Sequence, residues 1–228
     1  EDVVVSGVPA YSTLGYFDDP VLSTFVRWPE IEVARMLFHE LSHQIVYVKD
    51  DTQFNESFAA AVEEVGVERW LKAQGDPALQ AQFARSQQLR AAFRMLVRDA
   101  RERLEAIYAA DLPDAEKRHR KAAAFAAMRE GYIRAKSGEP GLAGYDRWFD
   151  GGVNNAKLAS VATYEELVPA FRALLAREQG DLPKFYAAAK ALGKLDKPER
   201  DAALERLNAR KAVAAVSAGP SRTRSGPP

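Results

Sequence analysis

Two histidines with a glutamate between them are the residues of this sequence best suited to chemistry. His39, Glu40 and His43 lie in the pattern HELSH. Helical side chains four positions apart leave the same face about one turn from each other, so both imidazoles can bind the same metal ion. Glu40 projects roughly 100° round the helix from His39, toward the place where a metal-activated water needs a general base. The spacing predicts a hydrolytic zinc site.

The third metal ligand must come from outside this motif, because a hydrolytic zinc site uses three protein ligands and keeps a fourth position for water. The chain has no cysteine and 3 histidines in all. His119 lies in the charged run EKRHRK, and we interpret it as a surface residue. A carboxylate is therefore favoured, and Glu56 is the first candidate, with Glu63 and Glu64 as rivals. Glu63 follows Glu56 by two turns on the same face, where it can instead accept a hydrogen bond from a ligating histidine.

Two predicted helices must position these side chains. The first begins at the segment WPE, residues 28–30, because proline is tolerated in the first helical turn. A loop over about residues 47–53 lets the chain reverse, and Asp51 and Thr52 offer caps for a second helix that ends near Lys72. Glu56 then lies in the first turns of that helix and can face the histidines. The apolar stripe that we expect to be buried on the first helix comprises Ile31, Ala34, Phe38, Leu41 and Ile45.

The two motifs also carry a resemblance to known enzymes. HELSH followed by NESFAAAVEEVG resembles the paired motifs of gluzincin metallopeptidases, whose second motif reads NEGFA. More closely, the runs STLGYFDDPVLSTF, HELSHQ, YVKDDTQFNESFAAAVEEVG and NNAKLASVATYEELVPAF are similar to a bacterial family of predicted aminopeptidases. This similarity covers most of residues 8–190. It implies Zn²⁺ as the cofactor, His39, His43 and Glu56 as its ligands, and Glu40 as the general base.

The resemblance extends to the substrate, which would be a peptide. Gluzincin aminopeptidases use a tyrosine downstream of the third ligand to stabilise the oxyanion, which implies this catalytic role for Tyr164, with Tyr145 as the rival. An aminopeptidase must also bind the α-ammonium group of its substrate, and Asp18, Asp19 and Glu63 are candidate carboxylates.

Two other functions remain open from the sequence. One is a zinc endopeptidase, which would also cleave peptides whose amino group is blocked. The other is a non-catalytic module in which the metal only joins two helices. Such a structural site predicts a fourth protein ligand, for instance Glu63 or Asp50, and no position for water.

The remaining pattern predicts a mainly α, α+β fold with a zincin-like helical domain. The segments Val3–Val5 and Thr13–Phe17 predict a small amino-terminal β-sheet, whose edge would pair with substrate by analogy with gluzincins. We expect a single metallopeptidase domain over residues 1–216 that lacks its amino-terminal part, with a long helical hairpin inserted at 77–137. Residues 137–152 predict a loop with packed aromatic side chains. Asn154 and Asn155 can cap a helix or bind the substrate backbone.

Composition narrows the function classes. Of 228 residues, 32 are Lys or Arg and 32 are Asp or Glu, so no net charge favours nucleic acid as a partner. No apolar run is long enough to span a membrane. By resemblance we expect the bacterial cell envelope, on the periplasmic side, with a possible lipoprotein anchor in a longer precursor, and a cytoplasmic location stays open. The tail over residues 217–228, rich in proline and glycine, is expected to be disordered.

Overall fold

All regular secondary structure in the part of the chain that the structure describes is helical. The computed structural model describes residues 2–5, 13, 16–19 and 21–217, apart from the side chains of residues 165 and 209–217. A short 3-10 helix, Pro140–Tyr145, joins α4 to α5. The helices of the described residues are α1 (Glu30–Ser42), α2 (Thr52–Gln74), α3 (Pro77–Ala109), α4 (Asp114–Gly138), α5 (Asp146–Asp150), α6 (Asn155–Glu165), α7 (Val168–Arg177), α8 (Leu182–Gly193) and α9 (Lys197–Ser217).

The predicted amino-terminal β-sheet is wrong, whereas the mainly α prediction is confirmed. No strand occurs among the described residues, and Val3–Val5 has no regular secondary structure. The first and last valines of that run are 73% and 92% exposed, so the run buries no apolar face that could hold a sheet together. In the second segment Thr13 Oγ1 accepts a hydrogen bond from Phe17 N at 2.9 Å, so these two residues lie closer than an extended strand would place them. Residues 14 and 15 of that segment lie outside the described part.

The chain divides into two compact units. The first, here called the hairpin unit, comprises Glu1–Pro9 and Val67–Thr163, and the second, the site unit, comprises Ala10–Gly66 and Tyr164–Pro228. The predicted disordered tail lies outside the described residues except for Ser217, the last residue of α9. No helix of the described residues has both the length and the apolar character needed to span a membrane.

In the hairpin unit, α3 and α4 pack antiparallel, as predicted. Lys117 Nζ donates to the carbonyl of Tyr108 at 3.0 Å near the turn. A Cβ at Gly131 would lie 3.3 Å from Leu96, so glycine permits a close approach of the two helices there. The predicted loop over 137–152 instead contains the 3-10 helix and α5. The aromatic side chains of this segment do pack into the core, as expected, and Tyr145 stacks on Phe93 with ring centroids 4.1 Å apart.

The core of the site unit surrounds the first half of α2. Phe54 and Phe58 are fully buried, and both rings contact Phe171 of α7, with centroid distances of 5.1 and 5.5 Å. Phe58 also stacks on Phe185 of α8 at 5.7 Å. Because Glu56 lies between these two anchored phenylalanines, its backbone is held by the packed core on both sides.

A buried ion pair fixes the beginning of α2. Asp51 caps the helix as predicted, since its Oδ1 accepts from Phe54 N at 3.2 Å. Its Oδ2 accepts from Arg200 Nη2 at 2.6 Å and Nε at 3.0 Å, and both side chains are 5% exposed. A charge at this depth is stable only when it is paired, so α9 and the first turn of α2 depend on each other.

The buried stripe predicted for α1 is found only in part. Ile31 is buried, Ala34, Phe38 and Ile45 are partly buried, and Leu41 is 54% exposed. Ile45 also lies beyond the end of α1. At 100° per residue Leu41 lies at the edge of the stripe, beside Leu37, which is also exposed. The helix therefore buries a narrower face than its apolar pattern predicts.

Candidate active site

His39, His43 and Glu56 come together in the site unit. One ligand atom from each residue can be chosen so that all three lie within 4.8 Å of one another. His39 Nε2 is 3.2 Å from Glu56 Oε2, and His43 Nε2 is 3.9 Å from Glu56 Oε1. A single carboxylate thus faces the Nε2 atoms of both imidazoles.

This geometry fits a metal ion. Bonds of about 2.0–2.1 Å to a tetrahedral zinc place any two ligand atoms roughly 3.3 Å apart. The two distances to Glu56, 3.2 and 3.9 Å, lie close to that separation. Two neutral imidazole nitrogens and one carboxylate are also the ligand types found in hydrolytic zinc sites. These three residues can therefore hold a metal ion between them.

Asn55 connects the segment after α1 to the helix that carries Glu56. It is 4% exposed; its Oδ1 accepts from Val48 N and its Nδ2 donates to Val48 O, both at 2.8 Å. These paired hydrogen bonds fix the direction in which α2 leaves the connection. This role of Asn55 was not predicted from the sequence. The only available signal was an asparagine directly before a candidate ligand, and that does not identify its partner.

Asn55→Ala is expected to lower the free energy of unfolding by about 2 kcal/mol, because the N–H and C=O of Val48 lose their side-chain partner. Urea denaturation of both proteins measures the difference. Gln44→Ala is the control, since Gln44 is exposed in the same connection. Equal loss in the two variants would show that the paired hydrogen bonds do not stabilise the fold.

Glu63 lies on the other side of the His39 ring. Its Oε2 is 3.3 Å from His39 Nδ1, while Nε2 of the same ring faces Glu56. This is the position predicted for a carboxylate that orients a ligating histidine. Asp50, the other fourth ligand considered for a structural site, is exposed.

The two carboxylates strongly favour positive charge at His39. Burial by itself would lower the pKa of His39, but hydrogen bonds with Glu56 and Glu63, together with their charges, outweigh it and raise the pKa to about 9. Burial would likewise raise the pKa of Glu63, but its hydrogen bond with His39 and the charge of Arg35 hold it below its usual value. An environment that favours a proton on His39 also favours a cation beside it.

Glu40 is half-buried and has a raised pKa. Burial is the main cause; the charge of His39 opposes it, and the charges of Glu56 and Asp19 raise the pKa further. Burial and the charge of His39 lower the pKa of His43, against the effect of Glu56. A carboxylate with a raised pKa is a stronger base, and His43 is held in the neutral form that a metal requires.

Tyr164 lies beside the cluster. Its ring stacks on His39, with centroids 6.1 Å apart and planes inclined by 28°. Burial, followed by the charges of Glu56 and Glu40, raises the pKa of Tyr164, so it remains a phenol that can donate a hydrogen bond. Its rival Tyr145 packs in the core of the hairpin unit instead.

Two contacts from α2 hold the segment that follows Tyr164. Ser57 Oγ accepts from Leu167 N at 3.3 Å, and Gln53 Nε2 donates to Glu166 Oε2 at 2.7 Å. Ser57 is next to Glu56 in the sequence. The same helix that carries the carboxylate of the cluster therefore also holds the two residues that directly follow the helix of Tyr164.

The two candidate asparagines make structural contacts in the hairpin unit. Asn154 takes the cap role, since its Oδ1 accepts from Lys157 N at 2.9 Å. Asn155 Nδ2 donates to the hydroxyl of Tyr108 at 2.9 Å. Their role in substrate binding stays a prediction.

The carboxylates considered for the α-ammonium group differ in surroundings. Glu63 is engaged by His39 and Arg35. Asp18 is exposed. Asp19 is partly buried, and its Oδ2 accepts from Thr13 N at 2.9 Å. Of these three carboxylates, Asp19 is the one whose charge helps to raise the pKa of Glu40.

The fold and site define a helical protein with a two-histidine, one-glutamate cluster that can bind a metal ion. The chain belongs to the family described as "Putative aminopeptidase", whose model matches residues 1–204. The family resemblance noted in the sequence is thereby confirmed at that level. No curated protein and no solved structure gave a significant match.

Proposed function

We propose that this protein is a zinc-dependent peptidase, and specifically an aminopeptidase. The main support is the approach of Glu56 to the Nε2 atoms of both His39 and His43. Zinc suits this donor set, which leaves one coordination position for water. When bound, Zn²⁺ would lower the pKa of a water molecule and polarise the scissile carbonyl.

The remaining steps of the reaction are carried out by side chains around the cluster. Glu40 accepts the proton of the attacking water and then transfers it to the nitrogen of the leaving amine as the C–N bond breaks. Its raised pKa suits both steps, because a base whose pKa is nearer to neutrality also returns the proton more readily. Tyr164 donates a hydrogen bond to the carbonyl oxygen as negative charge develops on it.

The position of Glu63 argues against a purely structural metal. A closed structural site needs a fourth protein ligand. Glu63 faces Nδ1 of His39, whereas Glu56 faces Nε2 of the same ring. Glu63 therefore supports the ligand rather than completing the coordination, and a position remains for water.

The exopeptidase preference rests on the family and on Asp19. A free α-ammonium group needs a carboxylate close to the reacting carbonyl. Asp19 is near enough to Glu40 for its charge to raise the pKa of that residue. We assign the α-ammonium group of the substrate to Asp19.

Asp19→Asn is expected to raise KM for an aminoacyl amide about 10- to 100-fold, since a hydrogen bond to a charged group contributes roughly 1.5–3 kcal/mol. The zinc content should not change. Steady-state kinetics with Asp18→Asn as the neighbouring control tests this assignment. An unchanged KM in Asp19→Asn would exclude it.

The proposed function is tested by metal analysis combined with a peptide panel. The purified chain should contain close to one zinc per molecule and should lose activity on chelation and regain it with Zn²⁺. Peptides with a free amino terminus should be cleaved, and the same peptides with an acetylated terminus should not. Cleavage of the acetylated peptides, with or without cleavage of the free ones, would favour an endopeptidase. A zinc-loaded chain without activity on either set would favour the non-catalytic module.

A further inference from the structure

Arg35 connects the two helices that carry the cluster. It lies on α1, one turn before His39, and its side chain is 22% exposed. Its Nε and Nη2 both lie 2.5 Å from Glu63 Oε1, and its Nη1 lies 2.6 Å from Glu32 Oε2. The guanidinium group is thus held on two sides, by carboxylates of α1 and of α2.

The two oxygens of Glu63 have different partners. Oε1 accepts from Arg35, and Oε2 faces Nδ1 of His39 at 3.3 Å. A carboxylate is planar and rigid, so a guanidinium that fixes one oxygen also fixes the direction of the other. The orientation of the His39 ring therefore depends on Arg35, although Arg35 forms its hydrogen bonds and ion pairs with Glu63 and Glu32 rather than with His39 or Glu56.

Close packing of α1 on α2 makes this arrangement possible. A Cβ at Gly66 would lie 2.6 Å from the ring of Phe38, so only glycine lets the helices approach this closely without a shift. Phe38 is next to His39, and Gly66 follows Glu63 by three residues. This contact holds the backbone near the site. The directions of the Glu63 and His39 side chains then depend on the ion pair between Arg35 and Glu63.

We propose that Arg35 is a positioning residue of the metal centre, acting through Glu63 to orient His39 toward the ion. This inference rests on the proposed metal site. The direction in which metal affinity changes when Arg35 is replaced distinguishes this role from a simple charge effect. Removing a positive charge near a cation site should tighten cation binding by electrostatics alone, whereas losing the orientation of a ligand should weaken it.

The test compares Arg35→Met, Glu63→Gln and the double variant. Methionine keeps much of the aliphatic length of arginine without its charge or its hydrogen bonds. Affinity for Zn²⁺ is measured by competition with a chromophoric chelator, and the geometry of the site by the visible absorption of the Co²⁺-loaded protein. We expect Arg35→Met to lose about 10-fold in affinity, the lower end of the range for residues that orient a ligand. The double variant should lose no more than Glu63→Gln alone, because both changes break the same chain of contacts.

Arg177→Met is the matched control, since Arg177 is exposed at the end of α7. Unchanged or tighter metal binding in Arg35→Met would overturn the proposal, as would losses that add in the double variant. If Arg35→Met does not fold by circular dichroism, Arg35→Lys keeps the charge and should show a smaller loss in the same direction, and wild-type affinity in that variant would refute the need for the guanidinium. A wild-type chain that binds neither Zn²⁺ nor Co²⁺ would refute the metal site, and this inference with it.

Discussion

Glu40→Gln is expected to lower kcat for peptide hydrolysis about 10³-fold while the zinc content stays at the wild-type value. Glutamine has the shape of glutamate and can still form hydrogen bonds, but it cannot accept the proton of the attacking water. Glu40 also lies outside the three-residue cluster, so its loss removes no ligand. Zinc analysis and steady-state kinetics on one aminoacyl substrate measure the two effects separately.

Glu30→Gln is the matched control for this experiment. Glu30 is exposed in the first turn of the same helix, so the substitution changes the charge of α1 equally and leaves the site intact. Wild-type turnover in Glu40→Gln would remove Glu40 from the mechanism. Zinc loss in that variant would instead show that Glu40 holds the metal.

Glu56→Gln is expected to weaken zinc binding by more than about 100-fold, which is the upper end of the effect of residues that only support a ligand. The two histidines remain, but the carboxylate that faces both Nε2 atoms is replaced by a neutral amide, which is a poor zinc ligand. The variant should also lose the stabilisation by metal, which for the wild type is about 2.7 kcal/mol at a free zinc concentration 100 times Kd. Competition with a chelator and thermal unfolding with and without Zn²⁺ provide both measurements.

The control for Glu56 is Glu68→Gln, an exposed glutamate farther along α2. It should bind zinc as the wild type does. Full zinc affinity in Glu56→Gln would show that another acid completes the site, with Glu64 as the first to test. That result would leave the two histidines in place but would contradict the ligand set proposed for this protein.

The centre of the site could be predicted because its geometry is local. Residues four apart on one helix share a face whatever the rest of the chain does, so the relation of His39 to His43 follows from helical spacing. The beginnings of α1 and α2 could be predicted for the same reason. The proline at position 29 and Asp51 each act within the first turn of the helix that follows them. The long α3 and α4 pair likewise follows from apolar periodicity and one short turn.

The sheet was predicted wrongly because strand formation is not local. A short β-branched run such as Val3–Val5 becomes a strand only where another strand and a buried face are present. The described residues provide neither, and these valines are left exposed. Leu41 shows that burial on a helix is not determined locally either. Its exposure depends on how wide a face of α1 the neighbouring elements cover.

The supporting contacts of the site belong to tertiary structure. Arg35 and Glu63 are 28 residues apart, and Asp51 and Arg200 are 149 apart. Nothing in either pair's local sequence indicates its partner, because hydrogen bonds between distant side chains form only after the helices have packed. The spacing of the residues thus predicted the chemistry that one helix can perform, and it made Glu56 the first candidate for the third ligand. Packing brought Glu56 to the histidines and gave each side chain its direction, because direction depends on neighbours that are far away along the chain.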